Sequence, residues 1–123
     1  MSREQNEKAK FEKSLKALEH ALSFSKQGKK DPFYNAGIAK SFEICLEHAW
    51  KYLKSREINE GLEVFSPKDA IKQAGRMGLI DDVEKWLDYL EDRNLAVHDY
   101  LGISDEAYVE TIQDFAREAK KLA

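Results

Sequence analysis

The chain has 123 residues, 42% of them hydrophobic and 35% charged, which is typical of a soluble globular domain with a substantial core. Its formal net charge of -3 argues against a protein that binds nucleic acid by neutralising many phosphates, so any such contact must be local or shared with a partner. No apolar run approaches the roughly 20 residues that span a bilayer, and residues 1–4 do not resemble a signal peptide. The single cysteine cannot form a disulfide within the chain, which is typical of a reducing compartment. We therefore expect a cytoplasmic protein.

The first predicted helix carries a single apolar stripe at i, i+4, i+7 and i+11 spacing. The stripe consists of Phe11, Leu15, Leu18 and Leu22. We expect this helix to continue to Gly28, because glycine suits a helix C-terminus and the lysines around it favour the negative end of the helix dipole.

The second predicted helix begins after Asp31, the cap, with Pro32 in its first turn. Its apolar stripe extends to Leu53. Residues 55–65 have weaker periodicity and include Gly61, so we expect them to form a loop. A short third helix then begins at Ser66 and Pro67 and ends at 77–78.

A fourth helix is predicted to open at Asp81 or Asp82 and to run into Arg93, with Gly102 breaking the chain after it. Ser104 is expected to cap the last helix. The sequence shows no strand pattern and no internal repeat. We therefore predict one all-α domain over residues 1–123, an antiparallel up-and-down helical bundle of four main helices plus one short helix.

The functional candidates lie in residues 93–100, where the fourth helix ends on Arg93, Asn94, His98 and Tyr100. A histidine with a pKa near 6.5 can take the proton of a ribose 2'-hydroxyl. An arginine can hold a phosphate through paired N–H donors as charge builds on it. Asn94 can donate a further hydrogen bond, Asp92 or Asp99 could orient the histidine, and the Tyr100 hydroxyl could contact substrate or be modified. Arg93 and His98 are therefore candidate catalytic residues, with Asn94 in support.

Positions 93 and 98 lie about 140° apart on an ideal helix. Both side chains could reach one phosphate if the helix frays or tilts near Val97, or if two copies of the motif face each other across a two-fold dimer. The plainer alternative is a helix C-terminus that carries Arg and His because they favour the dipole.

Other sites have weaker support. Isolated histidines at 20 and 48 and a single cysteine do not make a metal site, and residues 75–78 are a helix end rather than a phosphate loop. We expect Trp50 and Trp86 in the core, and the lysines at 26, 29 and 30 to be a solvated turn. We therefore expect neither a metal nor another cofactor.

The motif of Arg93 directly followed by Asn94, then His98 and Tyr100, resembles the signature of the HEPN superfamily. Within it, the chain is most similar to small bacterial and archaeal partners of minimal nucleotidyltransferases. These are known as nucleotidyltransferase substrate-binding proteins and as the toxins of HEPN/minimal-nucleotidyltransferase toxin–antitoxin systems. Three further stretches agree with that family, in its order, namely 42–51, 66–70 and 78–94.

The resemblance implies a helical bundle and a homodimer with its motifs near the interface. It implies that Arg93 and His98 cleave RNA without a metal, and that a separately encoded minimal nucleotidyltransferase silences the toxin by attaching AMP to Tyr100. One alternative is a non-catalytic subunit that presents a substrate to that nucleotidyltransferase. Another is a dimeric scaffold without chemistry, in which His98 and Tyr100 complete the interface.

Overall fold

A computed structural model of the chain describes residues 2–98 and 105–123, with the side chains of 95–98 and 105 left out. Within these ranges the chain is helical and forms no strand. Six helices follow one another in these ranges: α1 Arg3–Leu22, α2 Ser25–Gly28, α3 Pro32–Asn59, α4 Pro67–Arg76, α5 Val83–His98 and α6 Asp105–Leu122. The predicted break at Gly102 and the predicted cap at Ser104 lie outside the described residues.

The longest helix, α3, organises the bundle. Its 28 residues extend for about 42 Å, and it packs against α1, α2, α4 and α6, while α5 packs against α4 and α6. The predicted all-α antiparallel up-and-down bundle is confirmed. None of the helices in the described part of the chain is long and apolar enough to cross a membrane.

An aromatic cluster centred on Phe115 of α6 contacts both α5 and α3. The ring of Phe115 meets Phe42 at 5.2 Å, Tyr89 at 5.3 Å and Trp86 at 5.5 Å between centroids, each edge to face. Such pairs contribute about 0.5–1.5 kcal/mol beyond their burial. The Tyr89 hydroxyl also donates to Asp114 Oδ2 at 2.5 Å. The predicted core position of Trp86 is confirmed, and the cluster orients the helix that carries Arg93.

The first helix ends earlier than the sequence predicts, at Leu22 rather than near Gly28. The chain turns at Ser23, where the backbone N–H donates to the carbonyls of both Glu19 and His20 and the hydroxyl donates to the carbonyl of His20 at 2.5 Å. The chain then makes the separate turn α2, which ends at Gly28. Our expectation of a continuous helix was wrong because the backbone tightens to i−3 hydrogen bonds at Ser23 and Phe24, a change that apolar spacing does not reveal.

The second predicted helix begins as expected, since the Asp31 side chain accepts a hydrogen bond from the Phe33 N–H at 3.0 Å. It does not stop before residue 55, however, but continues to Asn59. There Gly61 adopts a φ of 85°, its N–H donates to Ile58 O, and the N–H of Leu62 donates to Glu57 O. This Schellman motif ends the helix, so the predicted loop was wrong over residues 55–59.

The starts of α4 and α5 follow the predicted caps. Ser66 accepts from the Asp69 N–H at 3.0 Å with Pro67 in the first turn, and α4 ends at Arg76 with Gly78 at a φ of 74°. Asp82 accepts from the Lys85 N–H at 3.1 Å at the start of α5. The third and fourth predicted helices are therefore confirmed in position.

Candidate functional site

Arg93 bridges two helices. It lies on α5, and its Nη1 donates to Glu47 Oε2 on α3 at 3.2 Å. Its Nη2 donates to Asn94 Oδ1 at 3.2 Å, so the asparagine accepts a bond from the arginine here. The structure thus brings together two of the predicted site residues and adds Glu47, which sequence reasoning did not assign to the site.

Glu47 is the centre of a small hydrogen-bonded network. Its Oε2 also accepts from Trp50 Nε1 at 3.0 Å, and its Oε1 lies 3.3 Å from Lys51 Nζ. Burial raises the pKa of Glu47, but hydrogen bonds from Trp50, Lys51 and Arg93, with the charge of Lys51, outweigh burial and lower that pKa. Glu47 is therefore ionised at neutral pH and holds the Arg93 guanidinium in place.

Arg93 can still bind an anion despite its contacts with Glu47 and Asn94. Its side chain is 21% exposed, and a guanidinium has five N–H donors, two of which are used by Glu47 and Asn94. The remaining donors can bind an anion without breaking the ion pair. Because the pair fixes the guanidinium in advance, little side-chain entropy is lost on binding.

An open cleft of about 490 Å³ lies between α3 and α5 beside this arginine. Its walls are formed by Arg93 and Asn94 from α5 and by Lys40, Glu43, Ile44, Glu47 and His48 from α3. Two cations and two carboxylates balance each other. The cleft can therefore accept a phosphate at Arg93, but it is not strongly positive as a whole.

His48 lines the cleft, although sequence reasoning assigned it no role. Its Nδ1 is buried and has no hydrogen-bond partner within the part of the chain that the structure describes. A buried N–H without an acceptor is costly, which favours the tautomer with the proton on Nε2. The available signal was the spacing of Lys40, Glu47 and His48 along one polar side of the second predicted helix.

The other two residues of the motif are described only in part. His98 is the last residue of α5, and its side chain is outside the description; Asp99 and Tyr100 lie outside the described residues altogether. Helix α5 stays regular from Arg93 to His98. The fraying near Val97 that one sequence alternative required is therefore not observed.

Asp92 contacts α6, whereas Arg93 contacts α3. The Asp92 side chain is hydrogen-bonded to Thr111 of α6. Burial, followed by the negative charges of Asp88 and Glu91, raises the pKa of Asp92 against the opposing effect of the Thr111 bond. Asp92 thus contributes to the contact between α5 and α6.

The remaining candidates lie elsewhere. His20 packs edge to face on Phe24 at 5.3 Å. Lys26 and Lys29 line a separate cavity of about 670 Å³, opposite Glu106 and Glu110. Trp50 is only half-buried, so its predicted core position was wrong. Residues 2–98 and 105–123 contain no group of three or more histidine, cysteine or acidic side chains that could hold a metal ion.

The sequence matches one family model over residues 6–123, that of proteins described as nucleotidyltransferase substrate binding protein like. It is also 33% identical over 92 residues to a probable ribonuclease HepT of Haemophilus influenzae. That alignment covers 71% of this chain and 63% of the relative, so less than two thirds of the relative is represented.

Solved structures share the fold. A Haemophilus influenzae protein described as having the fold of a substrate binding domain of a nucleotidyltransferase superposes with a TM-score of 0.76 at 26% identity, covering 91% of this chain and 93% of that one. A tri-AMPylated HEPN toxin of Shewanella oneidensis, solved in complex with its MNT antitoxin, gives a TM-score of 0.82 at 18% identity, covering 99% and 94%. At that identity the second match shows a common fold.

Proposed function

Because the chain belongs to the family of nucleotidyltransferase substrate-binding-like proteins, we propose that it is the HEPN-like partner of a separately encoded minimal nucleotidyltransferase and acts as a metal-independent endoribonuclease toxin. The similarity to a probable ribonuclease supports the activity. The observation that carries the proposal is the pre-positioned guanidinium of Arg93, which faces an open cleft with donors to spare.

The proposed chemistry is cleavage of the RNA backbone, in which a ribose 2'-hydroxyl attacks the phosphate that follows it. His98 removes the proton of the 2'-hydroxyl, and the 2'-oxygen forms a bond to phosphorus. The bond from phosphorus to the 5'-oxygen breaks as that oxygen takes a proton from water, which leaves a 2',3'-cyclic phosphate, and the protonated His98 returns its proton to the hydroxide so formed. Arg93 stabilises the extra negative charge of the pentavalent phosphorane, and Asn94 supports the arginine. No metal or other cofactor takes part.

We propose a homodimer in which two copies of the motif build one composite site. The support comes from α5, whose regular course from Arg93 to His98 keeps the two positions about 140° apart on one helix, whereas two facing copies can bring an arginine and a histidine to one phosphate. We further propose that the nucleotidyltransferase silences the toxin by attaching AMP to Tyr100, as the motif implies. Cellular RNA as substrate places this activity in the cytoplasm.

The test is cleavage of total tRNA and mRNA by the purified full chain in the presence of EDTA. Arg93→Ala and His98→Ala should each lose about 10²–10⁴ in rate, the usual effect of removing a charge-stabilising or proton-transfer group. Arg76→Ala, at an exposed position on α4, is the matched control and should cleave like the wild type. Equal inactivity of the wild type and His98→Ala would reject the ribonuclease proposal.

A second candidate function is a non-catalytic subunit that presents a substrate to the nucleotidyltransferase. The family description and the balanced charge of the cleft favour it. It predicts a stable complex with the nucleotidyltransferase, detectable by pull-down, and normal growth when the chain is expressed alone. Growth arrest by the wild type that His98→Ala relieves would contradict this function.

A further inference from the structure

A second groove, of about 240 Å³, lies along α3 beyond the cleft. Arg3 and Glu7 of α1 line it together with Trp50, Lys51 and Lys54 of α3. Trp50 connects the two sites: its indole lines the groove, while its Nε1 donates to Glu47, which lines the cleft and holds Arg93.

The groove continues the same side of α3 that forms the cleft. Glu47, Lys51 and Lys54 are spaced i, i+4 and i+7 and therefore share one face of the helix. Lys54 lies about 10 Å from Glu47 along the helix axis. A polymer bound at Arg93 and extended along α3 would pass directly over Trp50 into the groove.

The groove is more positive than the cleft. Arg3, Lys51 and Lys54 line it with a single carboxylate, that of Glu7, on a chain whose formal net charge is -3. Of these three cations only Lys51 is paired in the described part of the chain, with Glu47 at 3.3 Å. Within residues 2–98 and 105–123 neither Arg3 nor Lys54 forms an ion pair, so both charges are available to phosphates. This is a local concentration of positive charge of the kind that an acidic protein needs to hold a polyanion.

Glu7 indicates that the ligand brings hydrogen-bond donors as well as phosphates. Its Oε2 is buried and has no partner in the described part of the chain, and such an acceptor gains from a donor on a ligand. A nucleobase N–H or a ribose 2'-hydroxyl provides one, whereas a phosphate does not. The half-buried indole of Trp50 adds a surface on which a base can stack.

We propose that this groove binds the nucleotides that flank the scissile phosphate in single-stranded RNA, with Arg3 and Lys54 on the backbone, Trp50 against a base and Glu7 on a base or ribose donor. The identity of the polymer as RNA rests on the proposed function. The groove would then supply binding affinity that the balanced cleft lacks, and it would determine which bond of the strand reaches Arg93.

The test measures binding without cleavage. A short fluorescein-labelled single-stranded RNA of mixed sequence is titrated with the full-length His98→Ala chain by fluorescence anisotropy at several salt concentrations. The substitution Lys54→Gln, added to this His98→Ala chain, should weaken RNA binding about fivefold. It should also reduce the magnitude of the slope of the logarithm of the association constant against the logarithm of salt concentration by about 0.7, which corresponds to one lost phosphate contact with a single strand. Lys72→Gln, exposed on α4, should change neither.

Glu7→Met, which removes both acceptor oxygens at similar side-chain length, tests the donor contact with RNA and DNA of the same sequence. If Glu7 accepts from the ribose, the preference for RNA should fall; if it accepts from a base, binding of both should weaken equally. Unchanged affinity and salt slope in Lys54→Gln, or no RNA binding by the parent, would overturn the groove proposal. RNA binding that depends on Lys54, without cleavage by the wild type, would support the groove and reject the ribonuclease.

Discussion

Replacing Glu57 by glutamine should remove a loss of stability that the wild-type chain suffers as the pH rises from 5 to 8. Glu57 lies in the last turn of α3, is fully buried, and has no partner for either carboxylate oxygen within residues 2–98 and 105–123. Burial, followed by the nearby negative charge of Asp69, raises the pKa of Glu57 from an ordinary 4.5 to about 8. The folded chain therefore keeps this carboxyl protonated where the unfolded chain ionises it.

The magnitude follows from the difference in bound protons. Between pH 4.5 and pH 8 the folded state holds one proton more than the unfolded state at Glu57, so the free energy of unfolding falls by about 1.4 kcal/mol for each pH unit. From pH 5 to pH 7.5 the loss is about 3 kcal/mol, a large part of the about 5–15 kcal/mol typical of folded proteins. The contribution levels off below pH 4.5 and above pH 8.

The assay is urea unfolding followed by circular dichroism at pH 5, 6, 7 and 8 for the wild type and Glu57→Gln. Subtracting the two free energies at each pH cancels the contributions of other titrating groups. Glu60→Gln, exposed just after the same helix, is the matched control and should keep the wild-type dependence on pH. Parallel curves for the wild type and Glu57→Gln would refute the reasoning, because they would mean that Glu57 is ionised in the folded state.

Two further predictions concern glycine and cysteine. Gly37→Ala should stabilise the chain by about 0.5–1 kcal/mol, since an added Cβ meets nothing within 4 Å on α3. Gly75→Ala should destabilise it by about 1–3 kcal/mol because its Cβ would lie 2.1 Å from Val83 Cγ2; equal effects in urea unfolding would contradict this comparison. Burial raises the pKa of the Cys45 thiol to about 12, so a thiol reagent at pH 8 should label Cys45 only after unfolding. Rapid labelling of the native chain would disprove that.

Helix starts were predictable because their signals are local. Asp31 and Ser66 each accept a hydrogen bond from an N–H two or three residues later, and the proline that follows each cap is visible in the sequence. The end of α4 was predictable for the same reason, since Gly78 comes shortly after the apolar residues of that helix in the sequence. Such short-range chemistry does not depend on how the rest of the chain packs.

The end of α3 was not predictable from periodicity because polar residues occupy its buried side. Ser55 and Glu57 lie inside the protein, where the Ser55 hydroxyl donates to the carbonyl of Tyr52 at 2.6 Å. Hydrophobic spacing therefore fades over residues 55–59 although the helix continues. Gly61 does lie in the predicted loop, and its positive φ makes it the residue that caps the helix.

The candidate site was predictable only in its α5 half. Arg93 and Asn94 are adjacent in the sequence and belong to a recognisable motif. Glu47 and His48 are separated from them by more than forty residues, and a polar stripe on α3 does not reveal which neighbour it faces. The pairing of these residues depends on the packing of the bundle, which places the Arg93 side chain of α5 beside Glu47 of α3.

The network around Glu47 has an evolutionary consequence. One carboxylate serves Arg93, Trp50 and Lys51 together, so a substitution at position 47 would disturb three side chains on two helices at once. A lineage that has lost Arg93 would disturb only Trp50 and Lys51 by changing Glu47, whereas a lineage that changes Glu47 first leaves a mostly buried guanidinium without its counterion. Descendants that retain the arginine are therefore expected to retain an acidic residue at position 47.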